Sequence, residues 1–191
     1  IGRKNIINPK EFISMLSKKE LKKNHVCITF DDGLKSQIDI AFPVLKRFNI
    51  KAFFFIYTSI FTKNPDLLEV YRYFRTTKYK NINEFYKSFF SFCNPKVFEF
   101  LSKNQNEIYR IKNQINFYSK NDIKFRLVRD KFLSKKQYNK IMENLFKSKN
   151  FKPRKIFKKL FLNKNDVIKL INDGHEIGLH SHSHPTNFST L

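Results

Sequence analysis

Two short stretches concentrate the chain's reactive side chains. "TFDDG" (29–33) sets Asp31 and Asp32 side by side at the end of an apolar run. "GLHSHSHPTNF" (178–188) sets His180, His182 and His184 at every second residue, three of the five histidines in the chain. Adjacent carboxylates repel unless a cation neutralises one or a proton sits on the other. One carboxylate with two histidines is a common ligand set for a catalytic zinc, and it leaves a coordination position for water. Iron, cobalt and nickel accept the same donors. Alone, Asp-Asp-Gly also reads as a turn signal. The two stretches together predict one divalent-metal site assembled from distant parts of the chain.

The elements around them support that assembly. "HVCITF" (25–30) is a compact, β-branched run that reads as a buried parallel strand. "SQIDIAFPVLKRFNI" (36–50) follows as a helix, with Ile40, Val44, Leu45 and Phe48 expected on its apolar face and Pro43 near its start or at a kink. "KAFFFIYTS" (51–59) is a second buried strand. Strand, helix and strand with short joins form a βαβ unit, hence a parallel sheet. Upstream, "NPKEFISMLSKKEL" (8–21) reads as a short helix. Downstream, "LNKNDVIKLINDG" reads as another helix, with Leu162 as a staple and Asn163 or Asn165 as N-cap. Val167, Leu170 and Ile171 are its expected apolar face, and Gly174 its stop. "HEIGL" (175–179) is then a third strand. Functional groups of parallel α/β folds gather at the carboxyl ends of strands, so the aspartates and the histidines are expected on one rim. Gly33 marks a turn at which both carboxylates can be aimed into one pocket.

Between these regions, residues 59–161 abandon the α/β rhythm. The segment is rich in Phe, Tyr, Lys and Asn, its apolar spacing is helical, and it carries roughly 25 basic against 8 acidic residues. The expected division is therefore 1–58, a helical insertion at 59–161, and 162–191. The insertion reads as a packing subdomain, with a lid or anion-binding surface as the alternative. The net charge of +22 suits an anionic partner, but abundant Lys, Asn and Phe beside 4 Gly and no Trp is also what AT-rich coding produces. Charge alone therefore assigns no partner. Two cysteines give no disulfide framework: Cys27 reads as a small buried hydrophobe, and Cys93 has no evident role. No apolar run approaches the roughly 20 residues of a membrane span. A start at Ile1 rather than Met reads as an internal piece of a longer chain.

At this point a family resemblance enters. "VCITFDDG" resembles the first motif of the NodB-type polysaccharide deacetylases, carbohydrate esterase family 4. "GHEIGLHSHSHP" resembles their second motif, and "IKAFFFI" the strand after the first. The likeness covers the first and third regions only. It implies an α/β fold, part of a distorted (β/α)7-type barrel, here with a helical insertion. It implies Asp32, His180 and His184 as metal ligands, Asp31 as catalytic base, and Ser181 as a brace of the histidine loop. Thr29, Phe30 and Gly33 would support the first motif. His182 falls at a variable position and is not a ligand, while His175 and Glu176 are structural. The cofactor implied is a divalent metal, zinc before cobalt, iron or nickel, and the partner is an N-acylated carbohydrate. The implied reaction is hydrolysis of the N-acyl amide, with Asp31 taking the proton of the attacking water.

The departure is at the end. The family's later motifs supply an arginine, an oxyanion donor and a histidine general acid downstream of the second motif, and seven residues follow His184. The 191-residue piece is therefore expected to bind metal weakly and to show no turnover. Two other readings compete: a relative that binds glycan without hydrolysis, and a basic nucleic-acid-binding protein. The latter rests on charge alone, with no reader motif beside it.

Overall fold

The computed structural model describes residues 2–183. In chain order the helices and strands are α1 (Pro9–Ser17), β1 (Ile28–Asp31), α2 (Phe42–Arg47), β2 (Ala52–Ile56), α3 (Leu68–Thr77), α4 (Ile82–Ser91), α5 (Lys96–Lys103), α6 (Gln105–Gln114), α7 (Lys120–Leu127), α8 (Lys135–Ser148), α9 (Phe157–Leu160), α10 (Lys164–Asn172) and β3 (Glu176–Leu179). None of the described helices is long and apolar enough to cross a membrane. The fold is α/β. The strands form one parallel sheet in the order β1-β2-β3, with Phe30 opposite Phe54 and Phe54 opposite Ile177.

The chain divides into two compact units. One comprises the sheet with its helices, up to Leu67 and again from Lys155; the other is Leu68–Arg154. The short 3₁₀ turn Thr58–Phe61 and helix α9 stay with the sheet. Backbone pairing of Ser59 with His182 and of Leu34 with Phe161 accounts for this.

In the sheet unit one face is dry. Ile38, Phe42, Leu45, Ala52, Phe54, Ile56, Leu162 and Leu170 form its core, with Ile28, Phe30 and Ile177 packed against them. Alternation along a strand sends Thr29, Asp31, Phe53, Phe55, Glu176 and Gly178 to the opposite face. There Phe12 of α1 meets Phe53 edge-on at 6.4 Å.

Helix α2 corrects the expected face. Ile40, Val44 and Phe48 are 68, 53 and 47 % exposed, and the buried residues are Ile38, Phe42 and Leu45. Ile38, Phe42 and Leu45 are themselves at helical spacing, so the segment carries two apolar stripes, and the one through Phe42 packs against the sheet. Gln37–Ala41 forms a π turn ahead of α2, whose second residue is Pro43. Ile171 of α10 also lies outside the core, at 53 % exposure. The α10 ends match expectation. Asn163 caps it, with Asp166 completing a capping box, and Gly174 leaves it at φ +87°. Strand β1 begins at Ile28, later than expected; Val26 makes only an isolated parallel bridge to Ile6.

The Leu68–Arg154 unit is all helical. Its centre is aromatic: Phe74, Phe85, Phe89 and Phe125 are fully buried beside Met142 and Leu145, and Phe125 meets Phe89 edge-on at 4.9 Å. Buried Asp122 accepts from the Tyr86 hydroxyl at 2.6 Å and from Arg126 Nε at 2.7 Å. Burial and that carboxylate push the Tyr86 phenol well above its ordinary range. Burial also raises Cys93, half-buried, to about 11. These four phenylalanines are thus core residues, as their helical spacing implied, while Phe92, Phe98 and Phe117 are exposed.

Candidate functional site

The first motif forms the end of β1 and the turn after it. Thr29 and Asp31 lie exposed on the open sheet face, and Phe30 stacks on Phe54 at 4.9 Å between ring centres. Asp32 then takes φ 75° and Gly33 φ 64°. Left-handed backbone is costly for most L-residues, though Asp tolerates it better than most. A Cβ on Gly33 would also stand 2.9 Å from Ile60 and 3.0 Å from Ile56, so glycine is required there twice over. The turn takes Asp32 off the strand's alternation, so the two aspartates part: Asp31 stays on the exposed face and Asp32 turns inward, its side chain 15 % exposed.

This turn is well anchored. Leu162 N–H donates to Gly33 O at 2.9 Å. Lys35 Nζ donates to both carboxylate oxygens of Asp166 at 2.8 Å. The buried Gln37 side chain donates to the Asp31 carbonyl. Gln37 comes from the π turn, so this irregularity ahead of α2 also braces the end of β1.

The second motif leaves β3 alongside β2. His180 N–H donates to Ile56 O at 3.0 Å, Thr58 N–H to Ser181 O at 3.2 Å, and Ser59 N–H to His182 O at 3.0 Å. His180 Nε2 stands 3.6 Å from Asp32 Oδ1. In a continuous strand His180 and His182 would share a face. Ser181, at φ 64°, breaks that alternation. His182 goes instead to Thr58, with Nδ1 2.8 Å from Oγ1. His184 lies outside the described residues.

His175 and Glu176 are placed elsewhere. His175 is buried at the start of β3. Its Nδ1 accepts from Ala52 N–H at 3.1 Å, and its ring lies 5.2 Å from Phe54, edge-on, and 5.7 Å from Phe42. Burial first, then Lys51, hold its pKa below the ordinary 6.5. Glu176 makes a loose pair with Lys10 at 3.7 Å. Neither belongs with Asp32 and His180.

A metal fits the pair that is described. Two donors of one tetrahedral zinc, each at about 2.0–2.2 Å, stand about 3.3–3.4 Å apart, against the 3.6 Å between Asp32 Oδ1 and His180 Nε2. Among the described residues no three His, Cys, Asp or Glu side chains gather into a metal-binding group. The described part of the chain thus brings together two of the three expected ligands, one from each motif.

Comparison with known proteins bears on the first motif. Residues 18–77 match the family model for polysaccharide deacetylase. The match takes in "TFDDG", α2, β2 and all of α3, so the resemblance read from the first motif holds there. The second motif lies beyond the matched residues. No curated protein and no solved structure matches the chain.

Two residues that brace the candidate site went unrecognised in the sequence: Gln37 and Thr58. Thr58 had a usable signal, since it lies near the end of the strand predicted over 51–59, on the rim already marked out. Gln37 had none, because its role depends on the π turn.

Proposed function

We propose that this chain carries the metal-binding part of a metal-dependent carbohydrate deacetylase, which hydrolyses the N-acyl amide of a sugar in a polysaccharide or lipid-linked glycan. The observation that carries this reading is the approach of Asp32 to His180 across two neighbouring strand ends, together with the family match over the first motif. In this reading the three strands are the opening part of a (β/α)7-type barrel, whose interior face bears Thr29 and Asp31. Asp32, His180 and His184 hold a divalent metal, zinc by preference. When bound, it supplies Lewis-acid polarisation of the amide carbonyl and acidifies water.

The chain's own residues do the rest. Asp31 projects from the last position of β1 into solvent on the open face, where it can take a proton from water as general base. Its backbone is held by Gln37, so the carboxylate is presented from a rigid strand. Asp32, one residue on, is kept for ligation because the Asp32-Gly33 turn separates it from Asp31. Ser181 steadies the histidine segment by adopting the left-handed conformation that sends His180 and His182 to different partners.

The test is zinc titration of the chain, followed by calorimetry and thermal unfolding. Zinc should bind and raise Tm; Asp32→Asn and His180→Gln should each abolish the shift, while Asp31→Asn should keep it. Any acetate released from an N-acetylated oligosaccharide should vanish in Asp31→Asn. A chain in which D32N and H180Q bind zinc like the parent would defeat the assignment.

A further inference from the structure

We infer that Thr58 is a positioning residue for the histidine segment, acting through His182. The inference rests on the proposed metal site for its consequence, though not for its geometry. Past Leu179 the chain is no longer in regular strand, and Ser181 sits at φ 64°, a conformation that persists only where neighbouring contacts over-determine it. Three backbone hydrogen bonds from 56–59 to 180–182 run along this stretch. The contact between Thr58 Oγ1 and His182 Nδ1, at 2.8 Å, adds a side-chain lock on the far side of Ser181. His182 lies two residues past His180, so fixing its ring holds the backbone that carries His180.

The lock has a definite chemical signature. A hydroxyl donates to a bare Nδ1 or accepts from a protonated one, so the contact holds the ring's orientation in either tautomer, and its loss changes the environment of Nδ1. His182 is thus no ligand here but a peg, and Thr58 is the socket.

The experiment uses the full 191-residue chain, with Thr58→Val, Thr58→Ser, His182→Ala and the double variant Thr58→Val/His182→Ala. Ring ¹⁵N shifts of His182 are read at fixed pH without metal, with amide exchange at His180. Zinc affinity is then measured by competition with a chelator dye. T58S should keep the wild-type His182 Nδ1 shift, and T58V should move it, with faster His180 amide exchange. T58V should weaken zinc about two- to tenfold, the span of one exposed hydrogen bond. H182A should weaken it similarly, and the double variant no further. Unchanged His182 shifts in T58V overturn the inference. So do losses that simply add in the double variant, since that places the effect of Thr58 elsewhere. If the wild type binds no zinc, the metal reading fails, and the shifts and His180 exchange still decide whether Thr58 positions the segment.

Discussion

Gly178 lies across the sheet from Phe55, in the row that also holds Asp31. A Cβ added there would stand 2.5 Å from Phe55 Cε1 and in hard contact with Cδ1. Overpacking of this kind costs about 1–3 kcal/mol. Against it, Gly→Ala in a compatible strand position gains about 0.4–1 kcal/mol by restricting the unfolded chain. Gly178→Ala should therefore destabilise the sheet unit by about 0.5–2 kcal/mol. In a Phe55→Ala background the ring is gone and only the entropy gain remains, so the same substitution should stabilise by about 0.4–1 kcal/mol. Amide exchange of the β2 and β3 amides across a urea series reads this unit apart from the helical one. A cost of equal sign and size in both backgrounds would refute the argument that the Phe55 ring is what excludes a side chain at 178.

Three further outcomes follow from the packing. His175 has its pKa lowered by burial, so the unfolded chain takes up a proton before the folded one does; stability should be level above about pH 6.5 and fall as pH drops below it, and His175→Gln should flatten that slope in acid unfolding curves. Lys35→Met leaves Asp166 half-buried with its cap role but without its cation, and should cost about 1–2 kcal/mol in urea unfolding, between the values for exposed and buried pairs. Phe125→Ala in the aromatic centre of the helical unit should cost about 3–5 kcal/mol and lower the α7 and α8 amide protection, while β1–β2 protection stays unchanged.

Much of the sheet unit was legible because its signals are local. The β-branched run before Asp31, the Asn163 cap with Asp166 three residues on, and Gly174 after α10 each state a backbone preference that the fold obeys. The outer face of α2 was not legible. A period of 3.6 fits Ile40, Val44 and Phe48, but it fits the buried set Ile38, Phe42 and Leu45 equally well; spacing alone does not say which of two apolar stripes meets the sheet. At the candidate site the sequence marked out Asp32 and His180, which the fold brings to 3.6 Å of each other. It did not reveal that Ser181 and Asp32 both adopt left-handed backbone, since each lies beside a pairing with a distant segment: 56–59 for the loop after β3, and Leu162 for the turn after β1. His184, the third expected ligand, lies outside the described residues.

The parallel order β1-β2-β3, with the helical unit spliced between its second and third strands, has a consequence for synthesis. Ala52 and His175, which meet through a buried hydrogen bond, are 123 residues apart in the chain. Translation at about 5–20 residues per second puts roughly 6–25 seconds between them. Throughout that interval the β2 edge that will receive β3 is exposed on the ribosome, with Phe53, Phe54 and Phe55 along it. Helices α3 to α8, made of local contacts, can fold meanwhile. The aspartate half of the candidate site is thus made early and waits, and His180 arrives only with β3.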